Sequence, residues 1–452
     1  MTTTLKTQES AAMPSRASNA ALLASRARHF LPNAHHYHNQ ALQLVKAKGE
    51  YVWDEQGQRY LDAIGGIVCI SAGHNHPKIK QKIMQMFEDD EIQHTSLLYL
   101  SRHVVELAET LVGVAPEGLD VVSFTNSGSE ANELAFMAAR HSTGETIVIN
   151  LRHGYHGGTA AVLAQCGHHT WRYRAQPITA TTSAMEPYCY RCPFNLKRES
   201  CDLECAKNVE TTIQTSTHGK IAAMIVEPIM GVGGVIDPPA EYFHRVTKIV
   251  HNYGGRFISD EVQTGAGRCG NEFLLSKELG IDADMVTMAK GFGNGAAIGA
   301  VLMKSEDAAS FADKMYFNTF GGDPMQSAQA LATMDVIVEE SLSANAIAMG
   351  QRLQDGMREL MKNHSLIGDV RGRGLLLGME LVEDRASKEH ATKKTALFMD
   401  KCKEKGVLVG KGGLFGNVIR LAPPLTINAE QVDELLEVFE SCFAEISSQG
   451  FT

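Results

Sequence analysis

The chain has 452 residues, 44% of them hydrophobic, enough to bury a large core spread over two or three domains. Its 42 Lys and Arg against 52 Asp and Glu leave a formal net charge of -10 with no dense basic stripe, which argues against nucleic acid or an anionic membrane surface as partner. Every long apolar run stops well short of the roughly 18 residues of a spanning helix, as where Glu227 interrupts IAAMIVEPIMGVGGVI, so a small-molecule site is the expectation.

Residues 1–30 are rich in Ser, Thr, Ala and Arg with Glu9 as the single acid, a composition shared by organellar transit peptides and by mobile N-terminal arms. Nine cysteines, an odd number, and no secretory apolar segment favour a reducing, cytoplasmic compartment. HHYH at 35–38 is too tightly spaced for an obvious metal geometry. Residues 31–75 then carry a hairpin-like pattern, GEYVWDEQGQRYLDAIGG, turning at Glu55, Gln56 and Gly57.

From about residue 76 to 330, short β-rich runs alternate with helical patterns. DVVSFTNS, ETIVINLRH, KIAAMIVEPI, GRFISDEV, DADMVTMAK and AAIGAVLM read as strands, several without polar alternation. Continuous apolar strands separated by helices predict a mostly parallel sheet covered on both faces, hence an α/β fold. In such sheets a ligand sits beyond the carboxyl ends of the strands, and Glu227, Asp260 and Lys290 all fall there. Residues 331–452 mix long amphipathic helices with the strands LLLGMELV and VIRLAPPL. The expected division is a large α/β domain over 76–330 and a smaller α+β domain built from 1–75 and 331–452.

Lys290 ends an apolar run directly before glycine-rich chain. A lone lysine there reads either as a strand-exit cation with a wet ammonium or as a desolvated amine nucleophile for a carbonyl cofactor. Asp260 poses a matching choice, between a structural ion pair and a carboxylate that keeps a heteroaromatic ring nitrogen protonated. TNSGSEANELAFMAAR, residues 125–140, opens an amphipathic helix with Ser127, Gly128 and Ser129, either a routine N-cap or an anion seat at the positive end of the helix dipole. Tyr155, in RHGYHGG, is a turn aromatic or a lid over a heterocycle.

The combination resembles a family, the class III (ω-amino acid) aminotransferases of pyridoxal-phosphate fold type I. NSGSEANE, HGYHG, EPIMGVGG, DEVQTGAGR, MAKGFGNG, FNTFGGDP and IRLAPPL stand in family order, and the resemblance runs from YLDAIGG near residue 60 to APPL at 422–425. It implies pyridoxal 5'-phosphate as cofactor, bound through its aldehyde by Lys290, with Asp260 on the pyridine nitrogen and Val262 beneath the ring. It implies a phosphate held by Gly128 and Ser129, with Ser127 and Glu227 beside the cofactor, Tyr155 over the ring and Gln263 near its hydroxyl. Thr319 is implied to reach the cofactor of a neighbouring subunit in a homodimer, and Arg420 to grip a substrate carboxylate. No metal is implied.

Departures from the family pattern are informative. Where some relatives carry a glutamate that neutralises the arginine, this chain has Val232; Ala266 and Cys269 stand in GAGRCG, where they are expected to enlarge the pocket or shift a loop; and Asp323 stands in FGGDP. The pattern is most similar to the alanine–glyoxylate aminotransferase-2-like branch, which implies transamination from an amine or amino acid to a keto acid such as pyruvate or glyoxylate. That branch is also similar to lyases that release ammonia or phosphate from 1-hydroxy-2-aminoethylphosphonate or phosphoethanolamine. Apart from these motifs, Cys189, Cys192, Cys201 and Cys205 form C-x2-C-x8-C-x3-C, compatible with a tetrahedral zinc site or with free thiols, the middle spacing being short for a zinc ribbon.

Overall fold

Apolar strands without polar alternation require two covered faces, and one sheet of the chain has them. The computed structural model describes residues 19–33, 36–174, 180–313 and 315–448. Residues 1–18 of the Ser/Ala/Arg-rich start and His35 of HHYH lie outside the described residues. The sheet has seven strands: β1 (Val121–Thr125), β2 (Val148–Leu151), β3 (Thr181–Ala184), β4 (Ala223–Val226), β5 (Arg256–Asp260), β6 (Met285–Met288) and β7 (Gly299–Met303), in the order β1-β7-β6-β5-β4-β2-β3. The pairs from β6 across to β3 are parallel, and β7 runs antiparallel to both of its neighbours.

Alternate residues of these strands enter two separate apolar clusters. Val148, Ile225, Ile258, Met285 and Val301 join the helix Gly128–Thr143 on one face, while Ile149, Val226, Phe257, Val286 and Leu302 enter the larger core on the other. All these side chains are at most 1% exposed. Each contributes roughly 1.5–3 kcal/mol of burial, which explains why apolar residues predominate on both faces of the strands.

The hairpin expected near residue 55 joins Tyr51–Asp54 to Arg59–Asp62, with Asp54 accepting from the amides of Gln56 and Gln58 across the turn. Arg59–Asp62 pairs in parallel with Val407–Leu408, so the N-terminal hairpin is completed by chain from the C-terminal quarter. A second flanking sheet is antiparallel throughout, in the order Ile367–Arg373, Leu376–Leu381, Val418–Leu421, Gly410–Gly412. In its midst Glu380, 1% exposed, accepts from the guanidinium of Arg191, pairs with that of Arg371 at 2.8 Å, and is also bonded by the Tyr188 hydroxyl and by Asn417. Among the described residues no helix is long and apolar enough to cross a membrane.

Candidate active site

The carboxyl ends of the parallel strands open into a cavity of about 300 Å³. Asp260 is the last residue of β5, Glu227 follows β4 directly, and Lys290 lies two residues beyond β6. All three line the cavity, together with Ser127, Gly128, Ser129, Tyr155, Val262 and Gln263. Nine of the eleven residues singled out by sequence thus share one wall-to-wall space. Thr319 is exposed on the outside of the molecule, and Arg420 reaches the cavity only through Gln263.

Asp260, 3% exposed, is held by three donors: Asn132 Nδ2 at 2.9 Å and His156 Nδ1 at 2.7 Å on Oδ2, and the Val262 amide at 3.1 Å on Oδ1. Three donors meet much of the hydrogen-bonding capacity of this buried carboxylate and fix its orientation. Glu227 accepts from the amides of Tyr155 and Gly231, both at 2.9 Å; burial, with Asp260 adding repulsion, pushes its carboxyl up to about 7. The Lys290 amine is lowered from its ordinary value, first by desolvation and then by the Arg420 guanidinium, against the pull of Cys69, Asp260 and Glu227. Its backbone sits at φ 52, a left-handed conformation costing a non-glycine residue about 1 kcal/mol or more, so the surrounding packing holds the amine in place.

Ser127 caps the helix Gly128–Thr143 by accepting from the Glu130 amide at 3.2 Å, which aims the helix's first free N–H groups at the cavity. A side chain at Gly128 would place its Cβ 2.8 Å from Val262 Cγ2, so only glycine lets the helix start lie against Val262. Ser129 Oγ accepts from the Gly158 amide at 3.0 Å and ties the helix start to the Tyr155 loop. These features fit a flat, phosphorylated, aldehyde-bearing ring: a desolvated amine, a supported carboxylate and an anion seat face one space.

Sequence reasoning missed Asn132, His156 and Cys69. Asn132, fully buried, donates to Asp260 and to the His156 carbonyl and accepts from Thr287 Oγ1 at 2.7 Å. Some departures have local explanations: Asp323 caps the helix Pro324–Glu339 through the Met325 amide and pairs with His94 at 2.5 Å. The expectation that Ala266 and Cys269 shape the pocket is corrected. Both are buried but neither lines the cavity; Ala266 adopts φ 60 within the turn and Cys269 packs in an apolar cluster.

Cys189, Cys192, Cys201 and Cys205 gather around a cavity of only about 20 Å³. Burial raises the Cys189 thiol and pushes that of Cys205 up to about 12, which favours thiol over thiolate. Among the described residues no three Cys, His, Asp or Glu side chains converge as metal ligands. From the other histidine cluster, His38 pairs with Asp400 at 3.4 Å.

The Aminotransferase class-III family model matches residues 33–443. The chain belongs to the class III aminotransferases. This aminotransferase is 40% identical over 423 residues to alanine–glyoxylate aminotransferase 2 homolog 2, mitochondrial, of Arabidopsis thaliana, covering 93% of this chain and 87% of the relative. Among solved structures it is similar to an (S)-enantioselective omega-transaminase from Thermomicrobium roseum, with TM-score 0.88, 30% identity and coverage of 96% and 100%. It is also similar to a phospholyase from Arthrobacter in complex with phosphoethanolamine, with TM-score 0.86, 31% identity and coverage of 94% and 99%. The protein is accordingly a pyridoxal-phosphate-dependent enzyme on the α/β fold type I of its family.

Proposed function

We propose that this enzyme transfers an amino group between an amine or ω-amino acid and a keto acid such as pyruvate or glyoxylate. The observation that carries the reading is the convergence of Lys290, Asp260 and the Ser127-capped helix start on one cavity. Pyridoxal phosphate, when bound, supplies an aldehyde for the substrate amine and a ring that takes up electron density. Lys290 would hold the aldehyde, yield it to the substrate, and then move a proton at the amine-bearing carbon, a task for which its lowered basicity suits it. Asp260 would keep a proton on the ring nitrogen, Val262 and Tyr155 would line the ring, and Ser127, Gly128 and Ser129 would hold the phosphate, with Glu227 and Gln263 beside the ring.

A homodimer fits the surface. Leu98, Tyr99 and Leu100 are 73%, 71% and 98% exposed, and Met315 and Phe317 lie exposed on the segment that carries Thr319. The two segments touch, the Phe320 ring tilted against that of His94 with centroids 4.8 Å apart, so one apolar face awaits a second copy, whose cofactor Thr319 would reach. Nine free cysteines support a reducing, cytoplasmic compartment. We further propose that residues 76–330 act as the large domain and the two chain ends as the small one.

Elimination is the second reading, favoured by the likeness to a phospholyase. An amine panel assayed with and without pyruvate or glyoxylate, scoring new amino acid, ammonia and phosphate, separates the two. Product formation that depends on keto acid supports transfer; ammonia or phosphate released without keto acid overturns it in favour of the lyase.

A further inference from the structure

The helices Thr392–Glu404 and Ala429–Ser448 bring two thiols together inside the apolar core, away from the active-site cavity. Cys402 donates to Cys442 with the sulfurs 3.9 Å apart, and both residues are 0% exposed. The register of the two helices is pinned on either side of the pair. Phe398, about one turn before Cys402, lies 5.3 Å from the Phe439 ring and 4.5 Å from that of Phe443, while Lys401 and Lys405 pair with Glu445 at 3.4 and 2.6 Å. The Cys442 thiol is lowered from its ordinary value, first by the bond from Cys402 and then by Lys405 and Lys401, against burial and Glu445. Burial raises the Cys402 thiol. One sulfur is thus suited to start a reaction as thiolate, and its neighbour, still protonated, to finish it.

We infer that Cys402 and Cys442 form a redox staple: a disulfide made when the surroundings turn oxidising, which ties the two helices together and stabilises the fold without touching the active site. Closing from 3.9 Å to the roughly 2.05 Å of a disulfide asks each sulfur to move about 1 Å, within reach of a side-chain rotation. With a hydroperoxide as oxidant the atoms balance. The Cys442 thiolate attacks a peroxide oxygen and breaks the O–O bond, leaving a sulfenic acid and a hydroxide that takes up the proton Cys442 released. The Cys402 sulfur then attacks the sulfenic sulfur and forms the S–S bond, and its proton leaves with the expelled hydroxyl as water. Two thiols are oxidised and hydrogen peroxide is reduced to two waters. Cys442 lies within two turns of its helix end, where local opening admits the oxidant at least cost. The closed loop spans 40 residues and takes in Val407–Leu408, Gly410–Gly412 and Val418–Leu421, strands of both flanking sheets.

The test exposes the cofactor-loaded enzyme to hydrogen peroxide, alkylates the remaining thiols and maps the peptides by mass spectrometry without reduction. The wild type is expected to yield Cys402 and Cys442 in one linked peptide pair, which dithiothreitol separates. Its melting point is expected to rise by about 4 °C on oxidation, the loop-closure entropy of about 40 residues set against an unfolding entropy of about 2.1 cal/mol/K per residue. Cys402→Ala and Cys442→Ala are each expected to lose that rise. Absence of the linked pair in a sample whose exposed Cys189 has been oxidised overturns the staple, as does a rise of the same size in either folded variant. Should neither variant fold, the wild-type peptide map decides alone.

Discussion

Asn132 offers the most direct measure of how much of the site is held up from behind. Its amide makes three fully buried hydrogen bonds, to Asp260 Oδ2, to the His156 carbonyl and from Thr287 Oγ1, at 2.7–2.9 Å. Asn132→Ala removes all three and strands Thr287 Oγ1 in a dry interior. At about 1 kcal/mol for each bond, plus a desolvation cost of about 1 kcal/mol for the orphaned hydroxyl, the expected loss is about 4 kcal/mol. For cooperative unfolding of a chain of this length, with an entropy of about 2.1 cal/mol/K per residue, that corresponds to a melting point lower by about 4 °C. Thr287→Val, which removes one of the bonds and leaves the buried Asn132 Oδ1 without that donor, should cost about half as much. Differential scanning fluorimetry of the cofactor-free proteins reads both shifts. A melting point for Asn132→Ala within 1 °C of the wild type would refute the claim that Asp260 is supported by this residue.

Lys290→Ala is expected to retain the fold but to lose turnover by several orders of magnitude, and borohydride should no longer fix cofactor to the protein in mass spectra; undiminished activity sinks the assignment. Gly128→Val should drive a side chain into Val262 and weaken cofactor affinity roughly 5- to 150-fold, the equivalent of 1–3 kcal/mol of overpacking, read by fluorescence titration of the cofactor-free protein. Glu227 gives a pH signature. With its folded carboxyl near 7 against 4.5 unfolded, the native state binds the extra proton between those values, so its contribution to stability is full below about 4.5 and falls by about 3 kcal/mol as pH rises to 7. His153 and His168, both lowered to about 4 by burial, slope the opposite way below 6.5, so the comparison is wild type against Glu227→Gln. The wild-type-minus-variant difference in urea midpoint should fall as pH rises from 4.5 to 7; a constant difference contradicts the reasoning.

The residues legible in the sequence are those whose role has a local signature. Asp260, Glu227 and Lys290 each break an apolar strand at its carboxyl end, and Ser127–Ser129 open a helix, so chain position alone brings them to one face. Asn132 gave no such signal, since a polar residue in the first turns of an amphipathic helix reads as solvated and its partner Asp260 lies 128 residues away. The contact between Gln263 and Arg420, 157 residues apart, was hidden for the same reason. Among strands, β3 escaped notice because TTSA has no apolar run; it lies at the sheet edge, where one side needs no partner. Ile367–Arg373 escaped because its Gly, Asp and Arg residues mask the strand pattern, and those arginines are spent on buried acids and carbonyls.

The Glu380 cluster bears on how this protein can be rebuilt. Glu380 answers two guanidiniums, Arg191 from the segment that carries the four cysteines and Arg371 from its own sheet, and Asp369 pairs with Arg371 at 2.7 Å, so the trio with Asp369 is balanced in charge between distant stretches of chain. A chimera that exchanged the cysteine-bearing segment while keeping the host's strands would remove one of the two cations and leave the buried acids Glu380 and Asp369 to share Arg371. Modules cut from this protein therefore have their natural seams on either side of that trio, never through it.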